Sequence, residues 1–96
     1  MGSLTAKSGT PGYLYNYIST AATTTVKSGA GFFHLMTVEG GTAGTIIIYD
    51  NTAASGDIIA SFDSTNAIAT YGFNISFTTG LTIITSAATK LTVAYR

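Results

Sequence analysis

The sequence predicts an all-β fold, an antiparallel β-sandwich of jelly-roll or immunoglobulin-like type with about eight strands in 96 residues. Three observations carry that expectation. Short runs rich in Thr, Ile, Val, Tyr and Phe recur between breaks containing Gly, Ser and Asn, the spacing of a sandwich or barrel. Several runs alternate apolar and polar residues with period two, and no segment repeats apolar residues at i, i+3, i+4, i+7 as an amphipathic helix does. Thr is the most frequent residue, at 18 of 96, and its branched Cβ suits a pleated backbone.

Residues 1–12 are small and polar, broken by Gly9, Pro11 and Gly12. They are expected to form an N-terminal arm, with residues 13–96 as one domain. "YLYNYI" sets Tyr13, Tyr15 and Tyr17 on one strand face and Leu14, Asn16 and Ile18 on the reverse. "ATTTVK" is the next strand. In "GFFHLMTVE" the register is ambiguous: Phe32, His34, Met36 and Val38 share one face, Phe33, Leu35, Thr37 and Glu39 the other. For "GTIIIYD" the favoured register points Ile46 and Ile48 inward and leaves Ile47 and Tyr49 outward. A slip of one residue exchanges the pairs.

"DIIASF" is expected to bury Ile58, Ala60 and Phe62, with Ile59 on the other face. "TYGFNISF" alternates cleanly, with Tyr71, Phe73, Ile75 and Phe77 on the buried side. Leu81 and Ile83 share a side of "GLTIIT"; Leu91, Val93 and Tyr95 share a side of "KLTVAYR". The short "SAAT" between these two runs predicts a hairpin of 81–85 with 90–95.

Charge narrows the function classes. Only 8% of residues are charged and the net charge is zero, against roughly 25% charged in an ordinary soluble domain. Lys7, Lys27, Lys90 and Arg96 are scattered, so the basic footprint of a nucleic-acid partner is missing. No apolar run has the length of a membrane span, and the start "MGSLTAKSGTPG" has no secretory apolar core. Synthesis in the cytoplasm is therefore expected.

Chemistry is sparse. His34 is the sole histidine, set mid-strand between Phe33 and Leu35, and a hydrogen-bonded structural role is the expected one. Without Cys and without a nucleophile-elbow serine, no triad is visible, and no catalytic residue is assigned. The loop "DNTAASGD", bracketed by Asp50 and Asp57, does not follow the spacing of a calcium loop. Turn hydrogen bonds of Asp50, Asn51 and Ser55 are expected there instead. The glycines of "SGAGFF" and "EGGTAGT" read as turns rather than phosphate cradles. No metal or cofactor is expected, and Asn74-Ile75-Ser76 is read as a chance glycosylation pattern in a strand.

Apolar residues on both faces of a strand need a cover. The leading candidates for a protein contact are Tyr13, Tyr15 and Tyr17, Tyr being enriched at interfaces. Ile47 and Tyr49 are second candidates. The same tyrosines could instead stack on sugar rings, as in a carbohydrate-binding module.

The run "KSGAGFFHLMTVEGGTAGTIIIYDNTAASGDIIASF", the later "FNISFTTGLTII" and the terminal "LTVAYR" resemble small β-sandwich virion proteins of tailed bacteriophages. The resemblance covers about residues 22–96. It is carried by Gly29 and Gly31 ahead of His34, by "GTAGTIIIYDNTAASG", by Phe77, Gly80 and Leu81, and by "TVAYR". It implies a capsid decoration, or cement, protein on the outside of the phage head, often a trimer, bound where major capsid protein subunits meet. A neck, tail or fibre component is the alternative within the same particle. No catalytic residues come with the resemblance.

Overall fold

A computed structural model of the chain describes residues 12–65 and 67–96. All regular structure among them is β: β1 (Leu14–Ile18), β2 (Ala22–Ser28), β3 (Gly31–Gly41), β4 (Thr45–Tyr49), β5 (Ile58–Asp63), β6 (Ala69–Phe77), β7 (Gly80–Thr85) and β8 (Thr89–Tyr95). They form two four-stranded antiparallel sheets, ordered β1-β8-β3-β6 and β2-β7-β4-β5. Apart from Gly12, the expected arm lies outside the described residues.

The pairing is that of one long antiparallel ribbon folded over on itself. Leu14 stands opposite Tyr95, Ala22 opposite Thr85, Gly31 opposite Phe77 and Thr45 opposite Asp63. One arm thus advances from β1 to β4 while the other retreats from β8 to β5. Folding that ribbon across two sheets gives a jelly roll, and this strand order decides between the two sandwich types. In an immunoglobulin sandwich several sequential strands are neighbours in one sheet, whereas here the only sequential pair among the described residues is β4 with β5.

One expectation fails on the same ground. β7 and β8 do not form a hairpin: β7 pairs with β2 and β4, and β8 with β1 and β3. Residues 86–88 carry the chain from one sheet to the other. A three-residue connection permits a hairpin, but both hydrogen-bonding edges of each strand are already taken by long-range partners.

The core lies between the sheets. Phe33, Met36 and Val38 of β3, Ile46 and Ile48 of β4, Leu81 and Ile83 of β7, and Leu91 and Val93 of β8 are all buried. Ile46 and Ile48 do point inward, and alternation holds wherever the strand is regular. It breaks at bulges. In β3 the register shifts between Phe33 and Leu35, so Phe33 belongs to the inner face together with Met36 and Val38, while Leu35 faces out. In β5 the shift opposite Ile48 and Tyr49 puts Ile59 against the core and leaves Ile58 exposed, the reverse of the expected pair. An extra residue in one strand turns its neighbours to the other face. Ile75, expected inside, is 42% exposed, because β6 is an edge strand with no strand beyond it among the described residues.

Hydroxyl groups do much of the polar bonding. Thr82, Thr85, Thr89 and Ser64 are buried, and each is satisfied: Thr85 Oγ1 donates to the Thr20 carbonyl at 2.6 Å, Thr89 Oγ1 to the Thr42 carbonyl at 2.6 Å, Ser64 Oγ to the Gly44 carbonyl at 3.0 Å. Among the described residues no buried side-chain nitrogen or oxygen lacks a partner, as a stable interior requires. Thr-rich composition therefore serves loop closure as well as strand propensity. Gly31 is required by close approach: a Cβ there would collide with the Arg96 carbonyl and the Phe77 ring, where Phe32 and Arg96 exchange backbone hydrogen bonds at 2.6 and 2.8 Å.

The Asp50 carboxylate ties its own loop to the distant turn between β6 and β7. It accepts hydrogen bonds from the backbone N–H groups of Thr79 (2.9 Å), Thr78 (3.0 Å) and Gly80 (3.3 Å) and from the Thr78 hydroxyl (3.2 Å). The expected local turn bonds form at Asn51 and Ser55 but not at the Asp50 carboxylate: Asn51 Nδ2 donates to the Ser55 carbonyl and Asn51 Oδ1 accepts from Thr52 N–H. The N–H groups of Thr79 and Thr78 chiefly hold the Asp50 carboxyl below its ordinary value of 3.8, against a smaller opposing effect of burial. A depressed folded-state value contributes stability above the ordinary value and loses it as pH falls through the folded one. Asp50→Ala is expected to cost about 1–2 kcal/mol at neutral pH, since it strips charge-assisted bonds from three N–H donors. Urea titrations of both proteins should show the gap shrinking once pH drops below 3.8; a gap constant down to the acid limit contradicts this role.

Candidate protein-contact face

The outer face of the β1-β8-β3-β6 sheet is built by register. Since Ile18, Leu91, Val93, Met36 and Val38 point inward, the alternate residues point out. Tyr15, Ala94, Leu35 and Gly72 then stand side by side across the four strands. The next row is Tyr17, Thr92, Thr37 and Thr70. The first row is apolar with two small residues in it, the second a line of hydroxyls. Thr37 and Thr70 hydroxyls meet at 3.3 Å, and Thr92 Oγ1 donates to Glu39 at 3.4 Å. Tyr15 and Tyr17 are 38% and 50% exposed.

Beside these rows lies an aromatic corner. The Tyr13 ring stacks on His34 at 4.4 Å between centroids, and the Arg96 guanidinium lies over both Tyr13 (4.9 Å) and Phe32 (5.3 Å). His34 Nδ1 shares a hydrogen bond of 2.8 Å with Asn74 Oδ1. Asn74 sits in the β6 bulge at φ 51°, a conformation Asn tolerates better than most residues. This fixes the histidine sideways in the sheet, packed and bonded. A cation over two rings is a modest tie of about 0.5–1 kcal/mol each at exposed sites, and it holds the chain end of β8 against β1 and β3.

The expected contact residues fall on two separate surfaces. Tyr13, Tyr15 and Tyr17 belong to this face, whereas Ile47 and Tyr49 lie on the outer face of the β2-β7-β4-β5 sheet, in rows with Ile84 and Thr82. Both are half-buried. There the loop 50–57 folds back over one end of the sheet: the Asn51 carbonyl accepts from Thr82 Oγ1 at 2.8 Å, the Thr52 carbonyl from Thr25 Oγ1 at 3.3 Å. The second face therefore supplies part of its own cover, and the first is the stronger candidate. Leu35, Phe32, Arg96 and His34 join the tyrosines on it although the sequence did not single them out as contact residues. The signal is the β3 bulge, which no single-strand pattern discloses.

No group of three or more His, Cys, Asp or Glu side chains gathers among the described residues, and Asp50 is engaged by four donor groups. Comparison of the chain with protein-family models, with curated proteins and with solved structures finds no match. What the chain does must therefore be argued from its own surface.

Proposed function

We propose that the chain is a structural protein of a tailed-phage particle, a decoration protein that binds the outer surface of the major capsid protein lattice and stabilises the head, acting as a homo-oligomer. The carrying observation is the outer face of the β1-β8-β3-β6 sheet: exposed Tyr15 and Tyr17, with Leu35, Ala94 and a row of threonines, and charges only at its margins. A surface of this kind, aromatic and hydroxylated, is desolvated cheaply by a protein partner. Contacts with few ion pairs also lose little to salt screening. Jelly rolls serve capsid and lectin domains among others, so fold alone assigns nothing.

The resemblance in residues 22–96 supplies the particle, and the charge deficit supplies the reason for being covered. Cryo-electron microscopy of particles from the phage that encodes the chain tests the placement. Jelly-roll density repeating over the shell lattice is expected; density restricted to the portal axis overturns decoration in favour of a neck, tail or fibre role. A second reading, carbohydrate binding, is favoured by the shared exposure of Tyr15 and Tyr17. Glycan-array binding that disappears in Tyr15→Ala, with no binding to heads, would establish it instead.

A further inference from the structure

The four sheet edges are not alike. β2 is broken by a register shift between Thr25 and Lys27, and carries that lysine at the shift. β5 has a bulge opposite Ile48 and Tyr49. β6 has its bulge at Asn74 and a glycine at 72. Bulges and edge charges are the usual devices that stop a sheet from adding another strand. β1 has neither. Its pairing with β8 is unbroken from Leu14 to Ile18, and no charged residue occurs between Lys7 and Lys27. Among the described residues no strand lies on its outer side.

β1 is also chemically palindromic. Leu14-Tyr15-Asn16-Tyr17-Ile18 reads apolar, Tyr, Asn, Tyr, apolar in either direction. We propose that β1 pairs antiparallel with β1 of a second copy about a twofold axis through Asn16, joining the two β1-β8-β3-β6 sheets edge to edge. In that register Tyr15 lies opposite Tyr17 of the second copy on the outer face, and Leu14 opposite Ile18 on the inner face. A twofold contact needs a self-complementary patch, and this register places like on like at all five positions. Aromatic cross-strand pairs add to the backbone ladder. Leu14, 41% exposed at the open rim although it shares the inner face with buried Ile18, gains cover. Neutrality matters here too, since two copies of a charged edge would repel.

This pairing does not depend on what the outer face binds, but it would double that face in one plane. The test uses the purified chain alone, so its failure leaves the binding of the outer face to heads standing. Sedimentation of the wild type should give twice the 9.9 kDa chain mass. The chain has no Cys, which permits a directed cross-link. Tyr15→Cys and Tyr17→Cys, mixed and mildly oxidised, should form a disulfide-linked pair. Each variant alone should link at least tenfold more slowly, because like positions are offset by two residues, about 7 Å along the strand, beyond disulfide reach. A monomer or trimer by sedimentation overturns the proposal, as does linking of either variant alone as fast as the mixture.

Discussion

Phe33→Ala is expected to lower folding stability by about 3–5 kcal/mol, the range for truncating a fully buried aromatic. Phe33 is inaccessible to solvent, lies on the inner face of a central strand, and stacks on Phe73 at 4.4 Å with planes 15° apart. The truncation removes transfer energy and leaves a cavity under an edge strand whose own aromatic has lost its partner. Domains of this size have only about 5–15 kcal/mol in hand, so the variant stands near the limit of folding. Its sequence neighbour provides the contrast. Phe32 lies on the outer face beneath the Arg96 guanidinium, and Phe32→Ala is expected to cost about 1 kcal/mol. Urea midpoints at unchanged slope would measure both. A larger loss for Phe32 than for Phe33 contradicts the bulge that sorts them.

The second large effect concerns binding. Tyr17→Lys is expected to weaken attachment to purified heads about 30-fold, the equivalent of roughly 2 kcal/mol at an interface hot spot. Tyr17 is half exposed beside the threonine row, so a lysine fits the fold yet brings an unpaired charge into a contact that excludes water. Thr23→Lys is the matched control: Thr23 is exposed on the opposite outer face, in register with Ile84, and should change binding by less than threefold. Quantifying bound chain by co-sedimentation separates the cases. Equal loss in both variants would mean that the contact is not confined to one face.

The inner faces of regular strands were legible from alternation alone. Leu81 with Ile83, Leu91 with Val93 and Tyr95, and Ile46 with Ile48 are inside because nothing interrupts their period of two. Legibility fails where a strand gains a residue. Neither alternation set offered for residues 32–39 is right throughout, since the register shifts within the run; Phe33 comes from one set, Met36 and Val38 from the other. Ile58 and Ile59 exchange for the same cause. The 81–95 hairpin was inferred from loop length, which is a local quantity, whereas β8 is placed by β1 and β3, distant in sequence. The tyrosines of β1 were found because they lie on one strand. Their neighbours Leu35 and Phe32 come from β3 and Arg96 from the residue after β8, and only the sheet register assembles them.

That the outer face of the β1-β8-β3-β6 sheet meets a protein partner on the particle can be tested by hydroxyl-radical footprinting of the chain, free and bound to heads. Tyr17 and Leu35 should lose most of their labelling when the chain is bound, while Ile58, exposed on edge strand β5 of the other sheet, keeps its own. Labelling of Tyr17 and Leu35 at the same rate in both states would contradict the account.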